Sequence, residues 1–261
     1  MQGLAPPPLR LRLLAWLPFV ASAALVAVAI ELALRAPLVA LGLGSLAAIS
    51  LVPSFLARRR VRRLLLSGDV DAVLGAWRAA LDSVPHRETM APLIAATALA
   101  ANGMIDRARL ELDRAARGEA WEAALEHRLF VETMLDAFEG ERLQAVAKAD
   151  KLRELPLPVV GPFVRDRVAV LRAAAGALAR AFARRPGAGD IRVLELAARR
   201  NPLVHWAMHY AAAVASVDRG EPETARRLLR GAPSWPAESA FRDFHAELIE
   251  RVDDGASGAL N

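Results

Sequence analysis

The residues best suited to chemistry are His205 and His209, four positions apart in the segment His-Trp-Ala-Met-His. This spacing places both side chains on one face of a helix, so the two imidazoles are a candidate pair of metal ligands. The residue after His205 is Trp, and the pattern therefore lacks the glutamate that acts as general base in HExxH metalloproteases. No third ligand follows nearby, and two packed or partly exposed helix histidines are the structural alternative.

Other signatures of catalysis are weak. The chain contains no cysteine, which excludes a disulfide scaffold, a thiolate metal site and a cysteine nucleophile. The segment Gly187-Ala188-Gly189 lacks the Lys-Ser/Thr of a phosphate-binding loop. We therefore predict no catalytic residue, no cofactor, no bound metal and no enzyme activity. A metal-dependent or hydrolytic membrane enzyme using His205 and His209 is the alternative.

The net positive charge of the protein comes from the start of the chain. Eight arginines and one glutamate precede Leu64, a charge of +7, whereas the 26 basic and 28 acidic residues that follow give −2. A nucleic-acid-binding protein shows a basic face on its folded body instead. The sequence therefore predicts no nucleic-acid partner.

Two apolar stretches explain this asymmetry. Residues 13–34 contain one charged residue, Glu31, and residues 36–57 contain none, over 22 residues each. A helix of that length is about 33 Å long and crosses a hydrocarbon core of about 30 Å. The pair predicts a tight transmembrane helical hairpin that anchors the protein in a bilayer.

Arginine placement predicts the topology of the hairpin. Arg10 and Arg12 precede the first span, and five arginines follow the second: Arg58, Arg59, Arg60, Arg62 and Arg63. Short Arg-rich flanks stay in the cytoplasm, so both termini are expected on the cytoplasmic side of a bacterial inner membrane. The same five arginines are expected to contact anionic lipid headgroups. Alternatives are a signal peptide cleaved near Ala21-Ser22-Ala23 and an envelope protein with its body outside.

The remainder of the chain is helical in pattern and punctuated by glycines. Gly68, Gly103, Gly140, Gly189 and Gly220, at spacings of 35, 37, 49 and 31 residues, each have a small or apolar residue five positions later. All but Gly189 also have an apolar residue about twelve positions later, and the Gly189 unit is about one helical turn shorter, with Leu194 and Pro202. Apolar helical segments precede most of these glycines. Glycine permits a tight turn between two helices, and a later proline ends the second one.

This pattern resembles the tetratricopeptide repeat (TPR), a helix–turn–helix unit of about 34 residues. The family's Trp, Leu, Gly and Tyr in the first helix are mostly absent here, so the chain is TPR-like. The resemblance implies an all-α fold, in which the hairpin precedes an α-solenoid of stacked helix pairs. A generic helical bundle is the alternative. The expected segments are a cytoplasmic tail at 1–12, the hairpin at 13–57, a basic juxtamembrane segment at 58–67, the repeats at 68–252 and a flexible tail at 253–261.

In the TPR family the first helix of each pair lines a peptide-binding groove. Counting back from the glycines, the resemblance implies groove residues of largely apolar type: Met90, Leu93, Thr97, His127, Phe130, Met134, Ala207, Tyr210 and Val214. The alternative is that these residues form the core between repeats. The Lys/Asn set that holds a C-terminal carboxylate in chaperone-binding members is missing. An apolar helix or an extended segment is therefore the expected ligand.

Taken together, these patterns predict a membrane-anchored scaffold or adaptor that recruits a protein partner. The layout also resembles membrane proteins associated with late haem biosynthesis in proteobacteria, although the loop between the spans is far shorter here. The proline-rich segment Leu155–Pro162, within the 49-residue spacing, is either a kink between two sub-arrays or a loop that contacts a partner.

Overall fold

The computed structural model describes residues 56–57, 59–159 and 161–258, which form helices and contain no strand, so the all-α prediction is confirmed. Within this range no helix combines the length and apolar character needed to span a membrane. The hairpin predicted at 13–57 lies almost entirely outside it. Contacts divide the chain near residue 60, and the unit that begins at Val61 is described below. Its helices are α1 Val70–Asp82, α2 Arg87–Ala101, α3 Ile105–Arg114, α4 Glu119–Ala123, α5 Leu125–Phe138, α6 Arg142–Glu154, α7 Pro162–Phe182, α8 Asp190–Arg200, α9 His205–Asp218, α10 Pro222–Leu229 and α11 Ala240–Gly258.

Consecutive helices pack as pairs around short turns. Gly103, Gly140 and Gly220 separate α2 from α3, α5 from α6 and α9 from α10, with φ of +75°, +85° and +71°. After each glycine, the next N–H bonds back to a carbonyl five residues earlier, as Glu141 N does to Asp136 O at 2.8 Å. This is the Schellman ending, which uses the left-handed conformation that glycine adopts without strain.

The turn between α7 and α8 differs from the glycine pattern. Gly189 caps the start of α8 with φ of −100°, so it is not the turn residue. Arg184 instead takes the left-handed conformation with φ of +55°, and Arg185 N bonds to Arg180 O at 2.9 Å. The fourth unit therefore makes the same helix ending with a non-glycine residue, which explains why its glycine falls out of register in the sequence.

The first helices of the pairs form an inner ring. Contacts run from α2 to α5, from α5 to α7, from α7 to α9, and from α9 back to α2. Each inner helix also packs against its own second helix, which lies outside it. The array therefore curls until its last pair meets its first.

Alanine allows this close approach. In α2 every residue from Ala95 to Ala101 is buried, and α7 and α9 contribute further fully buried alanines such as Ala177 and Ala212. A helix that is apolar on all sides must be surrounded by other helices, and small side chains let the axes come close. The buried hydroxyl groups of Thr97, Thr133 and Ser216 in this ring each donate to the carbonyl four residues earlier, as Thr133 does to Leu129 O at 2.6 Å.

The outer helices have one buried face. In α10, Ala225, Leu228 and Leu229 are buried, whereas Arg226 forms ion pairs with Glu223 and Asp253. Such amphipathic helices belong at a boundary between core and water. The inner helices are buried on several sides over much of their length, whereas the outer helices are buried on one face, and this difference sets the two layers.

The chain after α10 closes the ring. Ser239 Oγ donates to Asn102 O at 2.8 Å, and Ala240 N donates to Gly103 O at 2.9 Å. A Cβ at Gly103 would lie 2.7 Å from Ser239 Oγ and 2.9 Å from Phe241 Cγ. Two independent reasons therefore require glycine at position 103: its positive φ and the close approach of the C-terminal segment.

An aromatic cluster fills the ring where α11 begins. Phe241 is fully buried and lies 4.5 Å from Tyr210, 5.1 Å from Trp235 and 5.2 Å from Phe138, measured between ring centroids. Phe182, from the last turn of α7, packs 5.3 Å from Phe138. Aromatic pairs in edge-to-face or stacked geometry each add about 0.5–1.5 kcal/mol beyond area burial. We name these five residues the aromatic plug.

Polar groups within the aromatic plug are paired. Trp235 Nε1 donates to the Tyr210 hydroxyl at 2.7 Å, and that hydroxyl lies 3.0 Å from His245 Nδ1. Burial raises the pKa of Tyr210 and lowers the pKa of His245, so the phenol is protonated, the imidazole is neutral and the two groups share a hydrogen bond. Trp206 Nε1 donates to Leu66 O at 3.0 Å, which ties α9 to the helical residues 61–66.

Helix extends past both ends of the repeats expected at 68–252. Residues 61–66, in the expected juxtamembrane segment, are helical. The final helix begins at Ala240 and continues to Gly258. The tail expected from residue 253 is therefore helical up to residue 258.

Candidate functional site

A cavity of about 660 Å³ lies among the inner helices, away from the aromatic plug. Its wall is formed by α2, α4 and α5, by the middle of α7, by the 3₁₀ turn Pro202–Val204 and by Leu152 of α6. Its apolar lining is Met90, Phe130, Leu152, Val168, Leu171, Leu203 and Val204, with alanines from the short helix α4. This volume lies in the range of small-molecule sites, about 300–1,000 Å³.

A proline in α2 helps to place the wall of this cavity. Pro92 has no N–H, so it cannot donate to Glu88 O within the helix. Ala116 N donates to that carbonyl instead at 3.0 Å, and Thr89 Oγ1 donates to Ala116 O at 2.9 Å. The segment that leads into α4 is thereby fixed beside α2, at the mouth of the cavity.

The best-defined polar contact in the cavity wall joins α2 to α5. His127 Nε2 lies 2.6 Å from Thr97 Oγ1, and Thr97 Oγ1 also lies 2.8 Å from Leu93 O. The hydroxyl has one proton, so both contacts are satisfied only when it goes to Leu93 O and the imidazole donates from Nε2. Burial lowers the pKa of His127, so the ring is neutral and Nδ1 carries an acceptor lone pair.

Arg172 forms a buried clamp at the cavity rim. Its guanidinium binds both carboxylate oxygens of Glu126 at 3.0 and 2.8 Å and donates to Leu155 O at 2.5 Å and Pro156 O at 3.1 Å. The side chain is 6% exposed, and its charge is therefore matched by one carboxylate and two carbonyl dipoles. One residue of α7 thus holds both α5 and the proline-rich segment.

The proline-rich segment and the start of α7 project from the body. Val159 is fully exposed, Phe163 is 75% exposed and Val164 is 49% exposed. Arg165 and Arg167 are also exposed, and within the described residues neither forms an ion pair. We name residues 157–159 and 161–167 the projecting segment. Val164, Val168 and Leu171 follow helical spacing, so one apolar stripe of α7 runs from this segment into the cavity.

The predicted groove residues separate into two groups. Met90, Thr97, His127 and Phe130 line the cavity. Leu93, Met134, Ala207 and Tyr210 are fully buried between helices, and Val214 packs partly buried against the same core. The structure therefore brings four of them together at one site and places the others in the packing of the ring.

The histidine pair is brought together in α9. The rings of His205 and His209 are 4.1 Å apart, and His209 Nδ1 lies 2.9 Å from Leu228 O. Burial, together with the neighbouring His209, lowers the pKa of His205 to about 4, and burial lowers the pKa of His209. Across residues 56–57, 59–159 and 161–258, no group of three His, Asp or Glu side chains has the arrangement of a metal site. Two imidazoles alone supply fewer ligands than the three or four of protein zinc sites.

A larger depression of about 1,110 Å³ lies between α1, α2 and α3. Its charged side chains are largely paired with each other, as Arg107 is with Asp71, Arg87 with Asp82 and Arg114 with Glu111. Because these charges neutralise one another, they attract a charged ligand only weakly.

The juxtamembrane arginines that the structure describes are exposed: Arg59, Arg60, Arg62 and Arg63. Arg58 lies outside the described residues.

Sequence reasoning missed Arg172 and Glu126 as members of the site. Both occur in helices rich in charge, where nothing in the local pattern marks an arginine as buried. The only available signal was the proline-rich segment, because its carbonyls have no helix or strand partner and need a donor from elsewhere.

The fold defines an all-helical protein of paired helices, with a cavity in its inner ring. No protein-family model, no curated protein and no solved structure matches this chain.

Proposed function

We propose that the protein is a membrane-anchored, TPR-like adaptor that holds a protein partner at the cytoplasmic face of the inner membrane through its projecting segment. The apolar stretches at 13–57 and their arginine flanks support the anchor. The array of helix pairs supports the adaptor role, because such arrays present surfaces rather than reaction centres.

The observation that carries the proposal is the exposure of Val159 and Phe163 on the projecting segment, which directly follows the Leu155 and Pro156 carbonyls bound by Arg172. An exposed apolar patch on a rigid support is typical of an interaction surface. Preorganisation lowers the entropy lost on binding, and Pro158 and Pro162 in the projecting segment act in the same direction.

The partner that fits this segment is an apolar helix or strand with acidic residues beside its apolar face. Phe163 and Val164 supply the apolar contact, and Arg165 and Arg167 supply positive charge beside it. Opposite charges at the rim of an interface raise the association rate and fix the register.

Photo-crosslinking tests the partner. A benzoylphenylalanine replaces Phe163 in the full chain in its native membrane, and the matched control carries it at Leu143, which is 88% exposed on α6. We expect one identified protein to be crosslinked at 163 and not at 143, with at least a tenfold loss in the double variant Arg165→Glu/Arg167→Glu. Charge reversal of the acidic residues in that protein should restore the adduct.

Three results of that experiment contradict the proposal. Lipid adducts alone at 163 assign the segment to the bilayer surface. Adducts between two copies of this chain assign it to self-association. Equal protein adducts at 163 and 143, or none at 163, exclude a specific partner surface there.

The anchor has a separate test. The chain has no cysteine, so Asp253→Cys introduces a unique thiol in the last helix. We expect an impermeant maleimide to label it only after the membrane is opened. Labelling from the outside of intact cells would instead place the helical body in the envelope, and release of the chain by alkaline carbonate would exclude membrane spans.

A further inference from the structure

We propose that the cavity binds a small apolar molecule carrying an N–H or O–H group, with His127 Nδ1 as its hydrogen-bond acceptor. This goes beyond the adaptor function, which uses the projecting segment. The first argument is the lining, since seven large apolar side chains surround about 660 Å³. A drug-sized apolar molecule buries most of its surface in such a space.

The second argument is the orientation of His127. The contact from Nε2 to Thr97 Oγ1 leaves Nδ1 as a free acceptor on a ring that lines the cavity. Within the described residues Nδ1 has no hydrogen-bond partner, and it is not among the polar atoms sealed from solvent. Nδ1 is therefore an accessible acceptor on a ring that lines the cavity, and a bound ligand with a donor group can satisfy it.

The third argument is charge, which selects against an anionic ligand. Glu119 and Glu126 are the acids that line the cavity, and the positive charge of Arg172 is already matched by Glu126 and by two backbone carbonyls. No unmatched cation in the lining faces the interior, because His127 is neutral and His86 lies exposed at the rim. The ligand is therefore neutral or carries its positive end toward the mouth.

The fourth argument is strain at the rim. His86 takes the left-handed conformation with φ of +51°, although it is neither glycine nor asparagine and has no side-chain hydrogen bond as helix cap. Such strained residues persist where the surrounding structure determines them, and they are concentrated at binding sites.

N-phenyl-1-naphthylamine, which is neutral and apolar with one N–H, is the probe. The full chain in lipid nanodiscs is dialysed against empty nanodiscs of the same lipid, so that partition into lipid cancels. We expect excess amine on the protein side. Val168→Trp fills the cavity and should remove at least nine-tenths of that excess, whereas Leu143→Trp on the exposed face of α6 should retain it.

The acceptor has its own comparison. 1-Phenoxynaphthalene replaces the N–H by an ether oxygen and keeps the shape. His127→Phe should weaken binding of the amine by about three- to tenfold, the value of one hydrogen bond, and leave binding of the ether unchanged. Circular dichroism and thermal unfolding verify that each variant is folded, and Ala120→Leu fills the cavity if Val168→Trp does not fold.

Several outcomes overturn the proposal. No excess amine with the wild-type chain excludes a small-molecule site and leaves the cavity to side chains of a protein partner. An excess that survives both filling variants places the binding elsewhere. An equal effect of His127→Phe on amine and ether removes the acceptor role. None of these results affects crosslinking at position 163, so the two proposals fail separately.

Discussion

Two regions of the inner ring differ in packing: the aromatic plug is filled by side chains, whereas the other region contains the cavity. At one, α11 inserts Phe241 among Phe138, Tyr210 and Trp235 and leaves the ring tightly packed. At the other region, α2, α4, α5 and α7 surround the cavity. The same helix α5 serves both, with Phe138 in the aromatic plug and His127 in the cavity wall. The C-terminal helix α11 fills only one of the two regions. The ring can therefore be closed there while a cavity remains at the other region.

The largest expected effect comes from removing the centre of the aromatic plug. Phe241→Ala deletes a fully buried ring with several aromatic neighbours, and we expect a loss of about 3–5 kcal/mol in the free energy of unfolding. Denaturant unfolding of the full chain in mild detergent measures it. Phe163→Ala, on the exposed segment, is the control and should stay within about 0.5 kcal/mol. Equal losses would mean that the plug does not stabilise the ring.

The second prediction concerns two turn glycines. Gly140→Ala meets no atom within 4 Å and should lose only the cost of a left-handed alanine, about 1 kcal/mol. Gly103→Ala adds a clash with Ser239 and Phe241, and we expect a total loss of about 2–4 kcal/mol. The same unfolding experiment compares them. Similar values for both would show that the C-terminal segment does not press on this turn.

The third prediction compares added volume in the two regions. Ala181→Leu, in the last turn of α7, has no space and should cost about 1–3 kcal/mol. Ala120→Leu projects into the cavity wall, so we expect a change below about 1 kcal/mol in either direction. Thermal unfolding of both variants with the wild type measures the difference. A large loss for Ala120→Leu would mean that the cavity is already filled by protein.

The last effect, a dependence of stability on pH, is absent at neutral pH and grows as the solution becomes acidic. The pKa of His205 falls from 6.5 in the unfolded chain to about 4 in the folded chain, because burial and the neighbouring His209 disfavour the charged ring. Between these values the unfolded chain binds more protons, so the free energy of unfolding decreases as the pH falls from 6.5 to 4. His205→Gln should make this decrease shallower.

The control for that measurement is Leu143→Gln, which changes an exposed side chain and no titratable group. It should leave the slope with pH unchanged. His127, His209 and His245 also have lowered pKa values, so part of the slope must remain in His205→Gln. An unchanged slope in His205→Gln would show that its ring is not buried in the folded chain.

Much of the local structure follows from the sequence alone. Apolar runs that end at Gly103, Gly140 and Gly220 predict helices, turns and their order, because both helix periodicity and left-handed turns are local properties. The fourth turn could not be read in this way. Arg184 adopts a conformation that its residue type disfavours, and only the packing of α7 on α8 imposes it.

The candidate site also contains residues that the sequence indicated and residues that only the structure revealed. Met90, Thr97, His127 and Phe130 were identified from helical register, since first helices of pairs face inward in a repeat array. Tyr210 was placed in the same class, yet it belongs to the aromatic plug, because α11 returns to cover it from a distance of 35 residues in the chain. The partner of Arg172 could not be found from spacing, since Glu126 lies 46 residues away.

The sequence by itself determined that the body is helical, where most of its helices end and that the positive charge lies before it, because composition, periodicity and turn residues act over a few positions. The tertiary structure decided which apolar residues meet, that the last pair contacts the first, and that a cavity remains beside His127. These properties depend on contacts between distant segments, and the physical reason is that packing of small alanines and closure by α11 act on all the helices at once.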